Sequence, residues 1–179
     1  MPLVHIMISQ NPQETTVALA LGIPSYPLNT FRGGSALESS LKTGMTFEFS
    51  YKVPENKTVP FLIPEATTFQ EMPKVLATGF MVGLVEWACI EAINPHIDWP
   101  REQSVGIRID LDHTAATPPG LTVTIKGTLL AVEGRKLTFE IEADDGIDRI
   151  TRGTHQRFLI DTMRFNQSVA DKATKHPTE

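Results

Sequence analysis

One long apolar segment, residues 77–93, most constrains what this chain can fold into. The segment is too long for a typical strand and long enough for a helix of several turns. Its apolar residues fall on nearly every face of a helix, a pattern typical of a helix buried on all sides. Asn94 and Pro95 end the segment, since the residue before a proline avoids the helical region. The sequence therefore predicts a buried central helix that other elements must enclose.

Alternation of apolar and polar residues predicts strands on both sides of this helix. The expected strands lie at residues 47–53, 105–112, 123–131, 137–143 and 147–160. Turn residues separate the later strands, as in Pro118-Pro119-Gly120 and Asp144-Asp145-Gly146. A strand, a helix and then an antiparallel meander of four strands predict an α+β domain of the hotdog type, an antiparallel sheet wrapped around one central helix. Such a small sheet leaves edge strands, through which a dimer can form.

The character of the chain changes along its length and predicts three parts. Residues 1–41 contain four prolines and a Gly33-Gly34 pair without clear periodicity, which predicts a loosely ordered extension. Its Ile6, Ile8 and Leu19 could dock on the domain. The folded domain is expected at residues 42–168 and a polar tail at 169–179; the polar stretch after Asp161 is expected to be helical at first and then frayed.

Charge and cysteine content exclude several classes of function. The net charge of -5 and pI of about 5.5 argue against nucleic-acid binding, which needs a basic surface. The single cysteine, Cys89, cannot form an internal disulfide or a cysteine metal cluster. No apolar run approaches the roughly 18 residues of a membrane-spanning helix, and the N-terminus lacks a secretory pattern. These features predict a cytoplasmic protein that binds neither membranes nor a metal.

Two polar residues stand out on apolar surfaces. Glu86 is a lone acid within the apolar helix, and a buried carboxylate needs a partner or a function such as general acid–base catalysis. The alternatives are that Glu86 reaches solvent or pairs with an arginine. His113 continues the phase of Val105 and Leu111, so it is expected on the side facing the helix. It is either a packed core histidine or a proton-transfer group.

Thr78 and Gly79 lie where the helix begins. Thr78 is a candidate N-cap, and the free N–H groups of a helix N-terminus can stabilise a developing oxyanion. Thr78 and Glu86 are separated by roughly 12 Å along a regular helix. They could act on one substrate if Thr78 bends back from the preceding loop, or if a second subunit contributes.

Further candidates surround these positions. His155 and Arg157 share one strand face. Arg157 could bind a phosphate or carboxylate, but a salt bridge at the rim is the default expectation. Phe69 and Met72 precede the helix and could cover an acyl pocket or pack in the core. The sequence contains no Gly-rich phosphate loop, zinc-ligand cluster or serine-nucleophile motif.

Several motifs together resemble the fluoroacetyl-CoA thioesterase group of hotdog enzymes. They are FLIP at residues 61–64, ATGFMVGLVEWAC at 77–89, HTAATPPGLTV at 113–123, and GTH at 153–155 with Arg157. The likeness extends from about residue 42 to about residue 168 and does not include the extension before residue 40.

This resemblance implies an active site of Thr78, Glu86 and His113 at the interface of a homodimer. It also implies that Gly106 lies near the bound acyl group, Arg157 beside the pocket, and Phe69 in an aromatic lid. The family's fluoroacetyl-selective member has a second phenylalanine in that lid, where this chain has Met72. Because methionine adapts to varied shapes, this difference puts strict fluoroacetyl selectivity in doubt.

The resulting hypothesis is hydrolysis of a short acyl-CoA to free acid and coenzyme A, with no metal and no cofactor beyond the coenzyme A of the substrate. Thr78 and the helix N–H groups would polarise the carbonyl, Glu86 would act as nucleophile or as base for water, and His113 would shuttle a proton. The alternatives are a hotdog enoyl-CoA hydratase and a non-catalytic acyl-CoA-binding protein.

Overall fold

The computed structural model describes residues 40–175, within which one long helix packs against a single sheet. The predicted α+β arrangement is confirmed. The elements are β1 (Thr46–Lys52), α1 (Thr67–Gln70), α2 (Thr78–Ile93), β2 (Glu102–Leu111), β3 (Thr122–Glu133), β4 (Lys136–Asp144), β5 (Arg149–Asp161) and α3 (Thr162–Thr174). The predicted extension, residues 1–41, lies almost wholly outside the described residues, as does the end of the polar tail. Helix α3 continues across the boundary predicted at residue 168.

The five strands form one antiparallel sheet in the order β1-β3-β4-β5-β2. The prediction of a four-stranded meander is wrong, because only β3, β4 and β5 follow one another. Strand β2 pairs with β5 and not with β3. The segment between β2 and β3, which includes Pro118-Pro119-Gly120, carries the chain from one edge of the sheet to the strand beside β1. That crossover is too long for a hairpin turn, and it contains His113.

Helix α2 buries one face rather than its whole circumference. The buried residues recur every three or four positions and are Met81, Leu84, Val85, Ala88, Cys89, Ala92 and Ile93. The opposite face is exposed at Thr78, Gly79, Gly83 and Trp87, so the expectation of burial on all sides is wrong for this chain by itself. The Trp87 ring packs edge-on against Phe49 of β1, with the ring centroids 4.9 Å apart. The sheet leaves this face of α2 uncovered, so a second protein surface could pack against it.

Strand β2 contains a β-bulge that changes which residues face the helix. Gly106 is opposite Arg157 and Arg108 is opposite Gln156, so Ile107 is the extra residue. The simple alternation placed Val105 on the helix side, and this prediction is wrong. Gly106 faces the helix instead, since a Cβ there would contact Glu86. A bulge keeps the spacing of apolar residues in the sequence while shifting their phase in space.

The segment before α2 is a series of short turns rather than an open loop. Single 3-10 turns at Glu55–Lys57 and Val59–Phe61 precede α1. An isolated bridge between Thr58 and Leu76 brings the two ends of the segment together. This closure holds Leu62 against the start of α2. No helix within residues 40–175 is long and apolar enough to cross a bilayer.

Candidate functional site

The first cluster of polar groups is at the N-terminus of α2. The Thr78 hydroxyl lies 2.9 Å from Nδ1 of His113. The prediction of Thr78 as the N-cap is wrong, because Ala77 occupies that position and Thr78 is the first helical residue. The Thr78 side chain is therefore free to bond His113. The first bond within the helix runs from the Met81 N–H to the Ala77 carbonyl, so the N–H groups of the first turn point outward.

The loop that carries His113 is fixed on both sides. The Thr114 N–H donates to the Ile150 carbonyl at 2.9 Å, which extends the β2–β5 pairing past the end of β2. Farther along, the Leu76 N–H donates to the Thr117 carbonyl, and the buried Thr117 hydroxyl donates to Asp145 at 2.9 Å. His113 therefore lies between two residues bonded to β5, Thr114 and Asp112, whose N–H donates to the Arg152 carbonyl at 3.1 Å. As the sequence predicts, His113 faces the helix.

A cavity of about 300 Å³ opens beside this cluster. Thr78 and His113 line it, together with Val59, Val75, Leu76, Thr114, Ala115 and Ala116. Burial lowers the pKa of His113 below its ordinary value of 6.5, against a smaller raising effect of Asp112. His113 is thus mostly neutral near pH 7, and its buried Nε2 has no hydrogen-bond partner within residues 40–175. A neutral imidazole with a free nitrogen can accept or pass on a proton.

The second cluster lies two turns farther along α2. Glu86 Oε2 is 3.6 Å from Nη1 of Arg157, and the two side chains are 41% and 1% exposed. The premise of a buried, unpaired carboxylate is therefore wrong: Glu86 both reaches solvent and pairs with an arginine. The expectation of Arg157 as a rim salt bridge is also wrong, because the guanidinium is buried behind Glu86. In this chain Arg157 contacts the carboxylate rather than an open surface.

Arg157 is held by hydrogen bonds to Ser104 on β2 and to His155 on its own strand, β5. Its Nε donates to the Ser104 hydroxyl at 2.9 Å and its Nη2 to the Ser104 carbonyl at 2.7 Å. Its Nη1 lies 3.1 Å from Nε2 of His155. A buried guanidinium with these partners is fixed in direction, and Glu86 meets it in a defined place.

The two clusters do not meet within one chain. Thr78 and Glu86 are separated by roughly 12 Å of helix, and Glu86 does not line the cavity beside Thr78. Thr78 belongs to the regular helix, which removes the possibility that it bends back.

The other predicted binding residues lie around these clusters. A Cβ on Gly79 would lie 3.0 Å from Leu62, and one on Gly106 would lie 2.5 Å from Glu86 Oε1. Phe69 is half-buried in α1, and Met72 is 52% exposed just after it. Neither lines the described cavity.

Comparison with known proteins gives a consistent result. The profile of the fluoroacetyl-CoA-specific thioesterase family, FlK, matches residues 53–163. The fluoroacetyl-CoA thioesterase of Streptantibioticus cattleyicolor is 48% identical over 136 residues, which cover 76% of this chain and 97% of that protein. The chain belongs to the fluoroacetyl-CoA-specific thioesterase family.

Solved structures support the same assignment. A structure of the fluoroacetyl-CoA thioesterase FlK is 49% identical, with a TM-score of 0.72, and the match covers 74% of this chain and 97% of that one. A thioesterase superfamily member from Thermus thermophilus is 22% identical, with a TM-score of 0.64 over 74% of this chain and 93% of that one, a likeness that concerns the fold alone. The predicted hotdog fold is confirmed.

Sequence reasoning missed part of the second cluster within this family domain. Ser104 drew no attention, although its side chain and carbonyl both bond Arg157. His155 was noted for sharing a strand face with Arg157 and for its place in the GTH motif, but its contacts with the Arg108 carbonyl and Arg157 were not predicted. The one available signal was that an arginine and a histidine share one face of the strand, where each needs a partner if that face is buried.

Proposed function

We propose that this protein hydrolyses a short acyl-CoA thioester to the free acid and coenzyme A. Water adds to the thioester carbonyl, the carbon–sulfur bond breaks, and the departing thiolate takes up a proton. Membership of a thioesterase family, at 48% identity to a named fluoroacetyl-CoA thioesterase, is the observation that carries this conclusion. The reaction as proposed uses water as its co-reactant and needs no metal or redox cofactor. A cytoplasmic location stays a prediction.

The N-terminus of α2 would bind the developing oxyanion. The N–H groups of its first turn point away from the helix and carry a partial positive charge, which favours a tetrahedral intermediate over a neutral carbonyl. The Thr78 hydroxyl is at the same end and is oriented by His113. The neutral His113 could then carry a proton to the leaving thiolate.

Glu86 would provide the attacking group in one of two ways. As a nucleophile it would form an acyl-Glu86 anhydride that water then cleaves; as a base it would activate the water directly. Its half-exposed carboxylate, held by Arg157, is accessible enough for either. An acyl-Glu86 species trapped by rapid quench, or solvent oxygen-18 that appears in Glu86 after many turnovers, would support the nucleophile, and the absence of both would support the base.

We propose that the working site is shared between two subunits of a homodimer. Three features support this: the separation of Thr78 from Glu86 along one helix, the exposed face of α2 at Gly83 and Trp87, and the outer edge of β2, where Ile107 and Ile109 are half-exposed. Strand β2 pairs on one side only among the described residues, so a second β2 could continue the sheet. The Glu86 of one subunit would then face Thr78 and His113 of the other.

Complementation between two inactive variants tests the shared site. Thr78→Ala and Glu86→Gln proteins are each purified, then unfolded and refolded together at equal amounts. If each site uses both subunits, half of the dimers are mixed and each mixed dimer has one intact site, so about a quarter of the wild-type rate returns. If Thr78 and Glu86 of the same chain work together, every site retains one defect and no activity returns.

The acyl group is proposed to be short but not restricted to fluoroacetyl. Phe69 and the exposed Met72 lie in the chain between Val59 and Val75, two residues that line the cavity beside Thr78. If they cover the acyl group, the flexible methionine would accept several short chains. Replacing Met72 by phenylalanine would then raise the preference for fluoroacetyl-CoA over acetyl-CoA, and an unchanged ratio would argue against a lid at this position.

The central experiment measures thiol release from acetyl-, fluoroacetyl-, propionyl-, butyryl- and phenylacetyl-CoA. Glu86→Gln is expected to reduce kcat by orders of magnitude. Glu91→Gln is the matched control, because it makes the same change five residues farther along the same helix. Within residues 40–175, the Glu91 carboxylate accepts a hydrogen bond from Trp87 Nε1 and forms no hydrogen bond or ion pair with a residue of the proposed site. Absence of thiol release from every substrate would favour a non-catalytic acyl-CoA-binding protein. Loss of the crotonyl-CoA double bond without thiol release would favour a hydratase.

A further inference from the structure

We propose that His155 is a positioning residue, a neutral imidazole that fixes Arg157 so that its guanidinium holds the Glu86 carboxylate in place. This inference rests on the proposed function, in which Glu86 does the chemistry. His155 itself lies behind Arg157 and would touch no substrate.

The protonation state of His155 follows from its two partners. Its Nδ1 is 2.9 Å from the Arg108 carbonyl, which can only accept, so Nδ1 must carry the proton. Its Nε2 is 3.1 Å from Nη1 of Arg157, which can only donate, so Nε2 must carry none. The contacts therefore require one tautomer of the neutral ring. A protonated ring would direct an N–H of Nε2 at the guanidinium and break that contact.

The surroundings of His155 favour the same neutral state. The ring is 1% exposed. Burial is the largest effect and lowers the pKa of His155 below 6.5; the hydrogen bond to the Arg108 carbonyl opposes it, the charge of Arg157 adds to it, and Glu86 has a smaller raising effect. The remaining ionisable group nearby is Cys89 on α2, whose pKa is raised to about 12 by burial, so it stays uncharged.

The bulge in β2 provides the anchor. Arg108 is the first paired residue after the interruption of the β2–β5 ladder, and its carbonyl accepts from the His155 side chain of β5. The same bulge brings Gly106 to the helix side, and a Cβ there would lie 3.2 Å from Cε1 of His155. The ring is thus enclosed by backbone on one side and by Arg157 on the other.

The donors of Arg157 explain why one imidazole matters. The Ser104 hydroxyl accepts from Nε and the Ser104 carbonyl accepts from Nη2, and these two bonds fix one edge of the guanidinium. Nη1 has two protons, and with His155 accepting one of them, the other is directed at Glu86 at 3.6 Å. Without an acceptor at the position of Nε2, Nη1 would be an unsatisfied buried donor and the guanidinium would turn to find a new partner. Glu86 would follow it.

Two replacements of His155 each preserve a different one of its two hydrogen bonds. Gln at position 155 can place its carbonyl oxygen near the position of Nε2 and accept from Arg157. Asn is one carbon shorter, so it can donate to the Arg108 carbonyl but cannot reach Arg157. We expect His155→Asn to lower kcat about 10- to 100-fold with KM changed less than about twofold, because Glu86 is misplaced by a fraction of an ångström to an ångström. We expect His155→Gln to keep kcat within about threefold of wild type.

A double-mutant cycle distinguishes positioning from general structural damage. In the Glu86→Gln background, His155→Asn should change the residual rate by less than about twofold, because its effect passes through a carboxylate that is already gone. The inference is overturned if His155→Asn lowers the rate equally in both backgrounds, if both replacements lower kcat alike, or if His155→Asn retains the wild-type kcat. A wild-type protein that releases no thiol at all would instead refute the proposed function.

Discussion

Replacing Gly106 by alanine should misplace Glu86 by a distance that the structure defines. A Cβ at this position would lie 2.5 Å from Glu86 Oε1 and 3.2 Å from Glu86 Cδ. Ordinary Cβ contacts begin at 3.4 Å, so the oxygen must retreat by about 0.9 Å, or the strand must shift by as much. Arg157 cannot easily follow, because Ser104 and His155 hold its guanidinium.

The expected cost is about 100-fold in kcat, since a displacement of about 1 Å in a reacting group has effects of that order. This factor corresponds to about 2.7 kcal/mol of activation free energy. The added methyl would also lie 3.2 Å from Cε1 of the buried His155, closer than ordinary contacts, and should cost about 1–3 kcal/mol of unfolding free energy. The two effects are measured separately, by steady-state thiol release and by urea unfolding.

Gly134→Ala is the matched control. Gly134 has a φ of 62° at the β3–β4 turn, and a Cβ there would meet nothing within 4 Å. Alanine in this left-handed conformation costs about 1–2 kcal/mol, so this variant should lose similar stability and keep wild-type kcat. A folded Gly106→Ala protein with kcat within threefold of wild type would refute the argument that Glu86 needs this space.

Three further predictions concern stability and reactivity. Phe139→Ala should lower the unfolding free energy by about 3–5 kcal/mol, because Phe139 is fully buried; a loss under about 1 kcal/mol in urea titrations would contradict this packing. Cys89 should resist a disulfide reagent at pH 8 in the native protein and react fully in denaturant, since burial raises its pKa to about 12; rapid native labelling would show that α2 opens. Because the pKa values of His113 and His155 are lowered from 6.5 by burial, the unfolded chain binds more protons below that pH, so the urea midpoint should fall as pH drops from 7.5 to 5.5. A midpoint that rises over this range would contradict the neutral state of both rings.

The sequence was sufficient to predict the elements but not how they pair. Alternation and length gave α2 and the five strands to within a few residues, because local burial on a sheet face dictates both signals. The position of β2 at the far edge could not be predicted, since apolar alternation says which face of a strand is buried and nothing about its neighbour. The bulge at Ile107 was equally hidden, because an extra residue in the ladder leaves the alternation in the sequence unchanged.

In the candidate site, too, individual residues could be predicted from the sequence, but their partners could not. Glu86 stood out because a charge within an apolar helix is unusual, and His113 because it continued an apolar phase. Their partners depended on three-dimensional packing: the pairing of Glu86 with Arg157 and the anchoring of Arg157 by Ser104 need the β2–β5 register. The roles assigned to Thr78, Glu86 and His113 stay predictions until the variants are measured.

The sheet order also means that β1 is synthesised before the strand with which it pairs. Strand β1 pairs with β3, in a register that joins Thr46 to Thr128 and Lys52 to Thr122. At roughly 5–20 residues per second, a ribosome needs about 4–16 s to deliver that partner after β1 has emerged. During this interval Phe47 and Phe49 have no sheet to cover them, and β2 must wait still longer for β5. The nascent chain therefore carries unpaired strands with exposed aromatic residues for several seconds, which makes the order of translation, and the chaperones present at that moment, part of how this enzyme reaches its native state.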